Sequence, residues 1–139
     1  MQTIKGMTVS HSNPFPNKPT IVFLHDSLGC IALWRDLPIK LSEATQYNIL
    51  IYDRLGYGLS EPMPTHVRPV NYMELEADIL NSLLIELNIS DAILLGHSDG
   101  GTIALLTASK YPERIKAIIV EAAHIFVEDL TIKGINKAI

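Results

Sequence analysis

Apolar residues in this chain come in short unbroken blocks, separated by mixed stretches with a helical beat. "TIVFLHD" (Thr20–Asp26), "NILIYD" (Asn48–Asp53), "AILLGHS" (Ala92–Ser98) and "IKAIIVEAA" (Ile115–Ala123) are apolar at mostly consecutive positions. Blocks of that length without strict alternation predict strands covered on both faces. Between the first two, Pro38 divides "IALWRDLPIKLSEA". Proline is tolerated in the first turn of a helix, so a helix is predicted to begin near Leu37–Pro38. Beyond Asn71, residues Met73, Ala77, Leu80, Leu84 and Leu87 recur at helical intervals, flanked by Ile79 and Leu83. Asn71 and Glu74 have the spacing of a capping box. Asp99 to Lys110 predicts a helix that ends before Pro112, and the tail "HIFVEDLTIKGINKAI" contains the start of another. Residues 1–13 predict one or two edge strands, and "NPFPNKP" a turn-rich connector.

Strand alternating with helix predicts an α/β fold: a mostly parallel sheet with helices on both faces. No repeat or linker divides the chain, so residues 1–139 are read as a single domain. Ligands of such sheets bind beyond the carboxyl ends of the strands. Three conspicuous segments fall there: "HDSLG" after the first apolar strand, "DRLGYGLS" after the second and "GHSDGG" after the third.

Composition narrows the classes. A net charge of −4 with no face that collects Lys and Arg argues against nucleic acid as a partner. No apolar run approaches the length of a membrane span, so no membrane partner is expected. The first residues lack the apolar run of a signal peptide. Cys30 is the single cysteine, which excludes an internal disulfide and fits a cytoplasmic location. The five histidines show no metal-ligand spacing, the serine turn lacks a phosphate-loop lysine, and no G-x-G-x-x-G follows a strand. Neither a metal nor a cofactor is predicted.

Gly96-His97-Ser98-Asp99-Gly100 matches G-x-S-x-G between a strand and a helix. Such a turn is sharp and strained, and side chains at Gly96 and Gly100 would collide with neighbouring backbone. It exposes Ser98 as a nucleophile at the positive end of a helix. The N–H of Asp99 is then placed to hold a developing oxyanion.

These motifs resemble the α/β-hydrolase superfamily, in the right order along nearly the whole chain. His25-Asp26-Ser27-Leu28-Gly29 is similar to that family's H-G-x-x-G oxyanion loop, with Asp26 in place of the usual glycine. Asp tolerates unusual backbone angles better than most residues. The resemblance implies a second oxyanion N–H at Ser27 or Leu28 and a structural role for His25. "DRLGYGLS" is similar to the family's D-x-R-G-x-G-x-S loop, with Leu55 in the arginine position and Arg54 just before it. That loop usually supports the site rather than reacting. Members that use an aspartate nucleophile include dehalogenases and epoxide hydrolases. Ser98 implies an esterase, lipase, C–C bond hydrolase, amidase or perhydrolase, with a small-molecule acyl substrate and an acyl-enzyme.

In this superfamily the chain order is serine, acid, histidine. Only His124 follows Ser98. It lies past the fourth apolar strand and is the one local candidate base. His97 flanks the serine and is read as a packing or hydrogen-bonding residue; His11 and His66 fall in connectors and are read as solvated. Glu121 is a possible triad acid, set against the simpler reading of a strand-end glutamate bonded to a neighbouring loop. The resemblance therefore implies the N-terminal portion of a hydrolase core, lacking the lid and last strands and weakly active or inactive by itself. The alternative is a catalytically dead fragment that serves as a binding or assembly module. In either case the strand at 115–123 is expected at an edge, where unpaired backbone groups favour a homodimer or larger assembly.

Overall fold

Four of the apolar blocks and two short N-terminal segments gather into one sheet. In the computed structural model, which describes residues 1–65 and 67–138, the strands are β1 (Gln2–Ile4), β2 (Met7–Ser12), β3 (Thr20–Leu24), β4 (Asn48–Tyr52), β5 (Ala92–His97) and β6 (Ile115–Glu121). Their order is β1-β2-β4-β3-β5-β6. β3 to β6 run parallel, and β1 and β2 form a hairpin whose second strand pairs antiparallel with β4. The sheet is mostly parallel, as the apolar blocks predict. β3, β4 and β6 each end two residues or fewer before the sequence boundary, where the chain bends into a rim loop or turn.

The helices are α1 (Leu37–Thr45), α2 (Tyr72–Glu86), α3 (Asp99–Lys110) and α4 (Asp129–Ala138). Pro38 sits in the first turn of α1, where its missing N–H has no intrahelical carbonyl to lose. One face of the sheet packs against α2 and α3. There Val22, Leu24, Leu50, Tyr52 and Leu94 meet Leu80, Leu83, Leu84, Ile103 and Ala104. On the other face Ile21, Phe23, Ile49 and Ile51 are covered by Trp34 and Leu41. Phe23 and Trp34 meet edge to face, their ring centroids 5.2 Å apart. α2 and α3 are tied by Asp78, whose Oδ1 accepts from Tyr111 Oη at 2.6 Å and from Lys110 Nζ.

Burial declines across the sheet. β3 and β4 are buried along their whole length, whereas in β5 alternate residues are half-buried. β6 is exposed over nearly all of it, with Ile119 56% exposed, and it forms an edge of the described sheet. The expectation of cover on both faces therefore fails for β6, because α1 lies over β4 and does not reach it. The run Ile118-Ile119-Val120 lies on the edge strand expected at 115–123 and is open here.

Two local readings are also corrected. Asn71 does precede α2, but its side chain makes no capping bond. Its backbone, at φ −92° and ψ 26°, already leans toward the helix, whereas a capping residue holds the extended conformation that aims its side chain back at the first N–H groups. His11 is not a solvated connector residue: it lies in β2 opposite Leu50, and burial holds its pKa below the ordinary value. His66 lies outside the described residues.

Candidate active site

The site is built on the carboxyl ends of β3, β4 and β5. β5 ends at His97 and α3 begins at Asp99, so Ser98 alone makes the turn. Its backbone is held at φ 52° and ψ −118°, a conformation that a residue with a side chain adopts only when its surroundings force it. The forcing is visible. A Cβ on Gly96 would stand 2.3 Å from Gly100 O, and one on Gly100 would stand 2.0 Å from Leu24 O. The two glycines therefore let α3 press onto the ends of β5 and β3. Ser98 N–H donates to Glu121 O at 2.9 Å, carrying the β5–β6 pairing one residue further, and Ser98 O accepts from Gly101 N–H at 2.9 Å. Asp99 N–H opens α3 with no acceptor among the described residues.

The loop after β3 lies beside this turn. Asp26 Oδ1 accepts from Leu28 N–H at 2.8 Å, and Oδ2 lies 3.2 Å from His97 Nδ1. Asp26 has no positive φ, so its tolerance of unusual backbone angles is not what it is used for; its carboxylate braces the loop and links it to the residue before the serine. Leu28 N–H is thereby occupied. Ser27 N–H makes no hydrogen bond among the described residues.

The loop after β4 supports both. Asp53 Oδ1 accepts from Ile31 N–H at 2.6 Å and Oδ2 from Leu59 N–H at 2.9 Å. Ser60 Oγ donates to Asp53 O and accepts from Thr8 N–H. Arg54, only 1% exposed, donates through Nη2 to Asp26 O at 2.7 Å, and its Nη2 lies 3.9 Å from Asp99 Oδ2. Its guanidinium also lies 4.6 Å from the centre of the Tyr57 ring. Arg54 N–H donates to His25 Nε2 at 3.2 Å. A backbone N–H can only donate, so Nε2 is the acceptor and Nδ1 carries the ring hydrogen, which it gives to Asp26 O at 2.7 Å. Burial first, then the Arg54 charge, lower the His25 pKa, so the ring is held neutral.

The remaining residues singled out in the sequence fall around this core. His124 is exposed, its backbone bonded to Thr102 Oγ1. Glu121 is exposed at the end of β6 and shares the lining of a cavity of about 310 Å³ with Asp26, Cys30, Trp34 and His97. Among the described residues no three His, Cys, Asp or Glu side chains are grouped as metal ligands. Sequence reading did not foresee Arg54 as the contact to the Asp26 carbonyl, nor Glu76 and Tyr72 as buried residues of α2. The available signal for Arg54 was a charge placed directly behind an apolar strand.

A family model described as the alpha/beta hydrolase fold matches residues 19–136. The chain belongs to that family. Among curated members, the human serine hydrolase BPHL is 35% identical over 83 residues, covering 60% of this chain and 28% of that protein. Mouse epoxide hydrolase 4 is 36% identical over 104 residues, covering 74% and 28%. The solved structure of a carboxylesterase of Nitrososphaera gargenis superposes on 99% of this chain and 50% of its own, with a TM-score of 0.80 at 21% identity. The chain thus spans less than a third of the length of those curated relatives and half of the carboxylesterase. No described helix of this alpha/beta hydrolase is long and apolar enough to cross a membrane.

Proposed function

We propose that the chain carries the nucleophile-bearing part of a serine hydrolase that acts on an ester or related acyl substrate through an acyl-enzyme. The strained Ser98 turn carries this reading, because it holds a hydroxyl at the positive end of a helix on the ligand-binding rim of the sheet. Ser98 Oγ attacks the carbonyl carbon and loses its proton to a base; the leaving group departs with a proton, and water then cleaves the acyl-enzyme. The developing oxyanion is met by the N–H groups of Asp99 and Ser27. Of the two loop donors named from the sequence, Ser27 is favoured, since Leu28 N–H is already given to Asp26. Similarity to a protein named serine hydrolase supports the reading.

His25 is neutral, buried and committed on both ring nitrogens, and His97 faces Asp26, so neither is the base in this proposal. The base comes from a group beyond those two, and Glu121 is the candidate acid on the same rim. Weak activity of these residues alone belongs to the same reading, as does a reducing, cytoplasmic setting with Cys30 free. Intact-mass analysis with a fluorophosphonate tests it. Labelling that disappears in Ser98→Ala is expected; absence of labelling, even after a complementing segment is supplied, refutes it.

The open edge of β6 favours a second reading, a binding or assembly module. Ile118, Ile119 and Val120 are exposed along a strand with one side unpaired among the described residues. In this reading two copies associate through β6. Hydrolysis of p-nitrophenyl esters above a Ser98→Ala control excludes a dead module.

A further inference from the structure

We propose that Arg54 is a positioning residue that sets the two oxyanion donors in register. Its guanidinium reaches both halves of the hole through one nitrogen. Nη2 bonds Asp26 O at 2.7 Å on the β3 loop and lies 3.9 Å from the Asp99 carboxylate at the start of α3. Asp26 C=O and Ser27 N–H belong to the same peptide group, and no peptide bond among the described residues is cis. In a trans peptide these two groups point in opposite directions. A donor that holds Asp26 O from the Arg54 side therefore aims Ser27 N–H to the other side. His25 Nδ1–H grips the same carbonyl, and its tautomer is itself set by Arg54 N–H. One residue thus acts on the Asp26–Ser27 peptide twice, once through its guanidinium and once through its backbone.

The guanidinium is well fixed for this task. It is buried, packed on the Tyr57 ring, and Tyr57 in turn is capped by Arg68 on its hydroxyl. A buried cation needs opposite charge nearby. Asp99 lies nearest, and Glu76 of α2, 3% exposed, interacts at longer range: the Arg54 charge opposes the upward shift that burial imposes on Glu76. Glu76 and Arg54 do not form a direct ion pair, and Arg54 Nη1 and Glu76 Oε2 have no partner among the described residues. Glu76 is therefore a remote charge partner. Asp99 and Asp26 are the groups the guanidinium aligns.

This inference rests on the reading of Ser27 and Asp99 as oxyanion donors. The test uses two variants and two readouts. Arg54→Lys keeps the charge but loses the planar fork, and Glu76→Gln removes the remote charge at constant volume. Both are compared with wild type in the amide resonances of Ser27 and Asp99 and in the rate and affinity constants for fluorophosphonate labelling of Ser98. The expected result in Arg54→Lys is that both amide resonances move or broaden together. The maximal labelling rate falls about 10- to 100-fold while the reversible affinity for the probe is unchanged, as for donors displaced rather than deleted. Glu76→Gln gives a smaller change in the same direction, and decides the matter if Arg54→Lys does not fold. Unmoved resonances in a folded variant, or an unchanged labelling rate in a protein that labels, overturn the proposal. If wild type does not label even after a complementing segment is supplied, the hydrolase reading fails, and the amide resonances still decide whether Arg54 aligns the two loops.

Discussion

Replacing Gly100 by alanine is the sharpest test of how the Ser98 turn is held. The added Cβ meets Leu24 O at 2.0 Å, Leu24 C at 2.4 Å and His25 O at 2.8 Å, all of them backbone. No rotamer relieves a backbone clash, so α3 and the end of β3 must separate. Bringing the closest contact out to the 3.0 Å below which real Cβ atoms are not found needs a shift of about 1 Å. That shift loosens Ile103, Ala104 and Thr107, which are fully buried on the same helix. Overpacking of this kind costs about 1–3 kcal/mol, or somewhat more where only backbone can yield. It also moves Asp99 N–H away from the loop that carries Ser27, and a misplacement of about 1 Å costs on the order of 100-fold in rate. Urea unfolding gives the first quantity and fluorophosphonate labelling of Ser98 the second. Gly134→Ala is the control: it has open space around it in α4, so the change adds up to about 1 kcal/mol of helix stability and leaves labelling untouched. A Gly100→Ala protein with wild-type stability and wild-type labelling refutes the argument that the elbow depends on this contact.

Other outcomes follow from the same geometry. Ser98→Gly relieves the positive φ and stabilises the fold by about 1 kcal/mol in urea unfolding while abolishing labelling, whereas Ser98→Ala abolishes labelling and keeps the strain. His25 has a folded pKa below its unfolded value, so its neutral form stabilises the fold fully above about pH 6.5, and that contribution is lost as pH falls below it. The slope is at most about 1.4 kcal/mol per pH unit, seen as the difference between wild type and His25→Gln in urea unfolding at stepped pH. Glu76 acts with the opposite sign: its folded pKa is raised, so its contribution is present below about pH 4.5 and is lost as pH rises above it, which is why the comparison with His25→Gln is needed. Ile119→Lys places a charge on the most exposed residue of the β6 apolar run and reduces the mass of any assembly seen by light scattering; a monomeric wild type, or an assembly unchanged in the variant, sinks association through β6.

Local order alone determined much of this protein. Strand and helix type follow from the spacing of apolar residues between neighbours, and α1 starts at Leu37 with Pro38 in its first turn, where that residue's ring is tolerated. The Ser98 turn is equally local, since Gly96 and Gly100 act on backbone within the same few residues, although Leu24 O, which Gly100 also clears, is distant in sequence. What needed the tertiary structure is every statement about which segments meet. β4 lies between β2 and β3, an order no local pattern encodes. Asp26 replaces a glycine, which reads in sequence as a backbone matter; only the approach of Leu28 N–H and His97 shows that its carboxylate is what is used. That Ile118-Ile119-Val120 lies on an uncovered edge is an expectation of the resemblance and not of the apolar pattern, because apolar residues carry no record of whether a neighbour is present to cover them. The burial of Arg54 and Glu76 is not legible in the sequence, because the groups packed around Arg54, Asp26 and Asp99 among them, lie tens of residues away. A side chain's type is set by the chain, but the cost of burying it, and so its role, is set by what the fold brings against it.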